Sequence, residues 1–339
     1  MKCIRTENAV GHVLCHDMTQ IIPGVSKGPR FRKGHVVTEE DIPVLLSMGK
    51  ENLFVWEMEP GMVHENDAAE RLAVLCGREN MTWSETKEGK IELKSAIEGV
   101  FLVDSARLFA VNSIDELMIA TRRGGGTVHP GDKLAGTRVI PLIIREEKLR
   151  QAEQAAGSAP LLSVRPFVRR TAAVITTGSE VAKGRIPDSF TPVVERKLAA
   201  FGIRMTEHIL VEDGQENVLE AIEQMKRRPV DMILCTGGMS VDPDDSTPGA
   251  IKASGADIVT YGAPVLPGAM FLLGYYGDGR PVMGLPGCVM YAKATIFDLV
   301  LPRIAADVRL EKRDFVAFGE GGLCLGCESC TYPHCGFGR

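Results

Sequence analysis

The chain has 339 residues, enough for about two domains. Apolar residues make up 45% and charged residues 24%, a soluble globular mix that argues against a disordered, collagen-like or membrane-spanning chain. The net charge of −5 argues against a nucleic-acid-binding body, which would show a basic excess, and leaves room for one local basic site.

The first eight residues, Met1 to Asn8, are charged and lack an apolar h-region, which argues against a signal peptide and for a cytoplasmic protein. Residues 10–57 alternate short strand-like runs with turns such as Arg32-Lys33-Gly34. Thr38 and Asp41 resemble a capping box opening a helix that carries Ile42, Val44, Leu45 and Met48 and ends at Gly49. Leu53–Trp56 reads as a strand, and Asn66 as the cap of a second helix carrying Ala69, Leu72, Ala73, Leu75 and Cys76. Strand-like runs continue to Ile144, broken at Gly124-Gly125-Gly126 and Pro130-Gly131-Asp132. A charged helix over Glu146–Ala156 leads to the best linker candidate, Gly157-Ser158-Ala159-Pro160.

Beyond it the rhythm changes. Ala172–Thr176 is a compact buried-strand pattern, Val193–Phe201 a helix, Ile203–Val211 a strand and Asn217–Arg228 an amphipathic helix stopped by Pro229. Met232–Cys235 is a third strand, Thr247-Pro248 the cap and first residue of a short helix, and Met290–Ala306 a closing helix. Strand and helix in alternation predict an α/β, three-layer domain with a mostly parallel sheet and helices on both faces, preceded by a smaller mixed α+β N-terminal region. The expected boundaries are 1–160, 161–310 and a tail, 311–339.

Ligands of such sheets bind at the carboxyl ends of strands, so the loops there carry the candidates. The first is Thr177-Gly178-Ser179-Glu180, where glycine admits an anion and Glu180 a hydrated metal; a plain strand-to-helix turn is the alternative. The second runs from Thr236-Gly237-Gly238-Met239-Ser240 through Asp242, Asp244 and Asp245 into a helix, with carboxylates suited to holding Mg²⁺ against a phosphate or positioning a proton. An acidic helix N-terminus is the bland account of the same residues. Leu266-Pro267-Gly268 and Leu285-Pro286-Gly287-Cys288 each place Pro-Gly at a strand end, and Asp213 ends a strand beside Gly214. The tail holds Cys324, Cys327, Cys330 and Cys335, soft thiolates at a spacing that suits Zn²⁺ or an iron–sulfur cluster.

Taken together these loops resemble the molybdopterin-binding domain of molybdenum-cofactor biosynthesis, the MoaB/Mog type. The marks are Thr177-Gly178-Ser179-Glu180, Asp188-Ser189, Asp213, Gly237-Gly238 with Asp245, Thr247-Pro248, Pro267-Gly268 and Pro286-Gly287. Gly11–Leu14, Arg32–Val37 and Pro130–Lys133 are similar to parts of the molybdopterin molybdenumtransferase, so the layout is that of a shortened transferase with an added cysteine cluster. The resemblance implies Asp245, Asp213 and Glu180 as the catalytic acids. It implies Thr177, Gly178, Ser179, Asp188, Ser189, Gly237, Gly238, Ser240, Pro267, Gly268, Pro286 and Gly287 as the groups that bind molybdopterin, with or without its adenylyl group. Mg²⁺-dependent molybdate insertion, a homo-oligomer and a recipient molybdoenzyme follow from the same resemblance. Three departures stand out: Ala269-Met270 replaces a Lys-Pro pair of the transferases, and Phe190 and Cys288 each replace an asparagine. They keep alternatives open: adenylyl transfer, a non-catalytic pterin carrier or sensor, or a related nucleotide-processing enzyme.

Overall fold

The computed structural model describes residues 2–22, 26–55, 60–240 and 246–338. They fall into two units: one of Met1–Ala96, Val103–Arg122 and Pro130–Ser163, the other of Ile97–Leu102, Arg123–His129 and Val164–Arg339.

The first unit is mixed α+β. Its helix Asp41–Ser47 starts later than a Thr38 cap would place it, with Glu40 at the cap position, although the Asp41 carboxylate does accept from the amide and the hydroxyl of Thr38, both at 2.9 Å. The cap of helix Glu65–Cys76 differs from expectation. His64 takes the extended cap conformation and its Nδ1 accepts from the Asn66 amide, while Asn66 accepts from the Gly89 amide instead. A cap must leave helical φ/ψ, and His64 already does so as the last residue of strand Met62–His64. The buried stripe Ala68, Ala69, Leu72, Ala73 and Cys76 packs on an antiparallel sheet in the order Met81–Trp83, Lys90–Ser95, Lys133–Val139, Leu117–Thr121. Helix Glu146–Ala156 has the bounds read from sequence. The linker candidate behind it is pinned: the Arg107 guanidinium donates to the carbonyls of Ala156, Ala159 and Pro160.

The second unit is built on β1 (Thr171–Thr177), β2 (Arg204–Val211), β3 (Met232–Thr236), β4 (Asp257–Tyr261), β5 (Leu272–Tyr275) and β6 (Pro281–Leu285), in the order β2-β1-β3-β6-β5-β4. The first four strands of that order are parallel; β5 and β4 are antiparallel additions at one edge. Alternation along β1 decides the layers. Ala172 and Val174 join Leu234, Met283, Val194, Leu198, Ile296 and Val300 on one face. Ala173 and Ile175 join Ile233, Val282, Val218, Ile222, Ala250 and Ile251 on the other. Helices α1 (Thr191–Ala199) and α4 (Ile296–Ala305) therefore cover one face, and α2 (Gln215–Lys226) and α3 (Thr247–Ala253) the other. This is the three-layer α/β arrangement expected.

Two helix starts differ from expectation. The closing helix begins at Ile296, because Thr295 and Asp298 form a capping box; residues 287–290 make a separate 3₁₀ turn. Ser246 caps α3, and the Thr247 hydroxyl reaches back to the Gly237 carbonyl at 2.9 Å. The tail runs beside Leu266, whose amide and carbonyl bond to Gly322 and Cys324, each at 2.8 Å. Among the described residues no helix is long and apolar enough to cross a membrane.

Candidate functional site

The strand order β2-β1-β3 reverses direction at β1. Open α/β sheets bind ligands at such a reversal, which here lies between the loops that leave β1 and β3. Those are the loops starting at Thr177 and Gly237. They touch: a Cβ on Gly237 would lie 2.5 Å from the Thr177 hydroxyl and 2.6 Å from its carbonyl oxygen, and Gly237 has φ +85°. Only glycine meets both conditions. The Thr177 hydroxyl also donates to the Thr236 carbonyl at 3.1 Å, tying the two strand ends. The carbonyls of Gly237 and Gly238 both turn to Thr247, accepting from its hydroxyl and its amide. In a trans peptide the N–H points opposite to the C=O, so the Gly238 and Met239 amides face away from α3.

Asp213, at the end of β2, belongs to the same rim. Its Oδ2 accepts from the Ser179 amide at 2.8 Å, and the Ser179 hydroxyl faces the Asp213 amide at 3.3 Å. Glu180 is exposed and its side chain has no hydrogen bond or ion pair among the described residues. Asp188 lies two residues before the Phe190 cap of α1 and braces that start, accepting from the Phe190 and Thr191 amides at 2.9 and 3.0 Å and from the Thr191 hydroxyl. Burial acts to raise the pKa of Asp188, but these hydrogen bonds outweigh it and hold the carboxyl below the usual carboxylate range. Ser189 reaches the Met290 sulfur at 3.1 Å, joining this segment to the turn after Pro286-Gly287. The Pro267-Gly268 loop reaches the rim because β5 runs antiparallel to β6, with Leu272 opposite Gly284. It is clamped to the start of α4: the Ile296 amide donates to the Pro267 carbonyl, and a Cβ on Gly268 would fall 2.5 Å from Ile296.

The rim thus gathers Thr177, Gly178, Ser179, Glu180, Asp188, Ser189, Asp213, Gly237, Gly238, Ser240, Pro267, Gly268, Pro286 and Gly287 at one end of the sheet. Asp245, with Asp242 and Asp244, lies outside the described residues. Sequence reasoning passed over His208, whose Nε2 sits 3.1 Å from the hydroxyls of Thr176 and Thr191 and 3.6 Å from Asp188. A lone histidine in a strand has no signature; only its pairing across β1 and α1 reveals it.

The placement of the tail does not support the metal expectation. Among the described residues no group of three or more His, Cys, Asp or Glu side chains is placed to hold a metal ion, so Cys324, Cys327, Cys330 and Cys335 form no ligand set. The path of the tail explains this. Cys324 and Cys335 pack against the apolar core, held by the Leu266 pairing and by Phe337, while Cys327 and Cys330 are exposed. The same finding covers Glu180 and Asp213, which alone make no site for Mg²⁺.

Residues 173–306 match the family described as a probable molybdopterin binding domain. The MoaB/Mog-type resemblance of this domain is thereby supported. Residues 3–57 match a second family, a domain of unknown function. A competence-damage inducible protein of Bacillus cereus is 33% identical over 90 residues, 26% of this chain and 22% of that protein. The chain therefore spans about a fifth of the length of the curated relatives it matches. Among solved structures, CinA from Thermoplasma acidophilum aligns over 40% of this chain and 98% of its own, at 20% identity and a TM-score of 0.35. MoaB from Thermus thermophilus aligns over 42% and 98%, at 17% identity and a TM-score of 0.33. The tungsten cofactor synthesizing protein MoaB from Pyrococcus furiosus aligns over 41% and 89%, at 19% identity and a TM-score of 0.31.

Proposed function

We propose that the rim binds molybdopterin or its adenylylated form, and that the protein acts in molybdenum-cofactor biosynthesis at a molybdate-insertion step. One observation carries this reading. Within a segment that matches a molybdopterin-binding family, the loops after β1 and β3 meet at the reversal point of the sheet, with Asp213 bonded to the first of them.

In this reading the Gly238 and Met239 amides, turned away from α3, take the terminal phosphate of the pterin. Asp213 positions the first loop through the Ser179 amide, and Asp188 fixes the segment that ends in Ser189. Glu180 faces solvent beside them, free to meet ligand. The described carboxylates form no cation site, so no step is drawn through Mg²⁺; the resemblance assigns that role together with Asp245. A homo-oligomer, molybdate as co-substrate, a recipient enzyme and a cytoplasmic location complete the proposal on the strength of the resemblance.

A second reading, a carrier without turnover, is favoured by Ala269-Met270, which stand where the transferases place Lys-Pro. Titration of the anaerobically purified protein with adenylylated molybdopterin and Mg²⁺, following binding and nucleotide release together, separates the two. Release on adding molybdate establishes insertion, and binding without release establishes the carrier. No binding overturns both. If insertion occurs, Asp245→Asn lowers turnover at least about tenfold, or about 1.4 kcal/mol of barrier.

A further inference from the structure

Three arginines of the second unit, Arg169, Arg280 and Arg303, have a buried Nε with no hydrogen-bond partner. Two of them are otherwise saturated. Arg169 donates to the carbonyls of Asp231 and Gly279 and pairs with Asp307. Arg280 donates to the carbonyls of Arg228 and Lys226 and to Asp278. These are structural arginines, each guanidinium tying loops together.

Arg303 is different. It projects from α4, its side chain 19% exposed, and its guanidinium makes no hydrogen bond among the described residues. It has one loose ion pair, 3.5 Å to Asp314, and the Phe318 ring 5.6 Å away. The Asp314 carboxylate is itself shared with the Glu311 amide at 2.8 Å. Against the guanidinium lies the triple-glycine turn. A Cβ on Gly125 would come within 2.4 Å of an Arg303 terminal nitrogen, and Gly125 has φ +92°. The turn is held by paired bonds between Phe101 and the glycines, Gly125 amide to Phe101 carbonyl and Phe101 amide to Gly126 carbonyl. Arg123 starts this turn, exposed and with no hydrogen bond or ion pair among the described residues. Burial lowers the Arg303 pKa, the Asp314 charge opposes it, and the Arg123 charge adds a smaller lowering. The Arg303 guanidinium therefore shares one loosely held carboxylate in a partly buried place, with the exposed Arg123 two residues from the glycine that touches it. A buried cation left short of partners costs several kcal/mol, and the cost is relieved when an anion completes the pairing.

We infer that Arg303, Arg123 and the Gly124–Gly126 turn form a binding site for a phosphate-type oxyanion. Guanidinium forks match phosphate oxygens two at a time, and Gly125, having no side chain, puts no group of its own between the turn and the guanidinium. The site is built from α4 and the glycine turn, not from the loops of the rim, and the inference does not depend on the pterin reading.

The test is a titration of the full chain with inorganic phosphate and with pyrophosphate, read by ³¹P NMR line broadening and by calorimetry, with acetate as the planar control. Saturable millimolar or tighter binding is expected in the unaltered protein. Exposed Arg123→Ala is expected to weaken it about tenfold, or about 1.4 kcal/mol, through loss of one charge-assisted contact. Gly125→Ala tests the close approach, and both variants are checked for native circular dichroism because Arg303→Ala need not fold. Arg228→Ala, an exposed arginine of the same unit paired only with Glu207 at 3.7 Å, leaves phosphate binding unchanged. Equal affinity in Arg123→Ala, the same loss of binding in Arg228→Ala, or acetate binding as tightly as phosphate each overturns the assignment.

Discussion

At the scale of single residues, the candidate site depends on a few atoms that cannot be moved. Gly237 is the clearest. Alanine there meets a left-handed φ penalty of about 1–2 kcal/mol and a methyl 2.5 Å from the Thr177 hydroxyl, so Gly237→Ala loses about 2 kcal/mol or more in urea unfolding and weakens ligand binding. The thiols sort in the same way. Burial pushes Cys76 and Cys235 up to about 12, while Cys327 and Cys330 are exposed. Alkylation of the native protein near pH 8 therefore labels the tail pair and spares Cys76 and Cys235 until the chain is unfolded. Labelling of Cys235 in the native state would contradict the burial of β3. The two positions also show the limits of sequence: the cysteines of the tail are conspicuous by their spacing, yet nothing in that spacing says that two of them pack into the core.

At the scale of elements, capping decides where the helices of the site begin. Asp188 holds the start of α1, and Asp188→Ala removes about 1 kcal/mol of stability. Its carboxyl is held below the usual carboxylate range, so the contribution is present above about pH 4 and is lost as pH falls through the lower folded value. Comparing acid unfolding of Asp188→Asn with the parent checks this: the variant loses the corresponding part of the acid limb. Asp298 closes the capping box of α4 and also pairs with Lys197 of α1. Helix Glu146–Ala156 and strand β1 were legible because periodicity and end signals agree there. The start of α4 was not, since the apolar run at Met290 continues a helical pattern and the Thr295-x-x-Asp298 box that overrides it is short.

At the scale of the whole molecule, pH acts on the first unit through two histidines. Burial, then the Lys50 and His64 charges, lowers the His16 pKa; burial and the Lys33 charge lower that of His64, against the bond to the Cys15 carbonyl. The unfolded chain takes up these protons near pH 6.5 while the folded chain resists, so stability falls as pH drops below about 6.5. Hydrogen exchange at the Leu14 and Glu65 amides, corrected for intrinsic rates, is expected to show weaker protection near pH 5.5 than near pH 7.5. Equal protection at both values would mean that the two rings are not held neutral.

Sequence by itself determined the alternation of strands and helices, the change of rhythm near residue 170 and the three-layer class, because burial imposes its period on every residue of an element. It also singled out the loops that the structure places along one rim: strand ends followed by glycine and acid are visible as local patterns. Tertiary structure alone decided which of those loops meet. The reversal of strand order at β1, the contact of Gly237 with Thr177 and the bond from Asp213 to Ser179 join residues dozens of positions apart, and no local pattern encodes such a distance. It alone paired His208 with Thr191, drew the tail to Leu266 and set Arg303 beneath a glycine turn that precedes it by more than half the chain. Those contacts follow from packing the sheet and its layers as a whole, where each residue's neighbours are chosen by every other element.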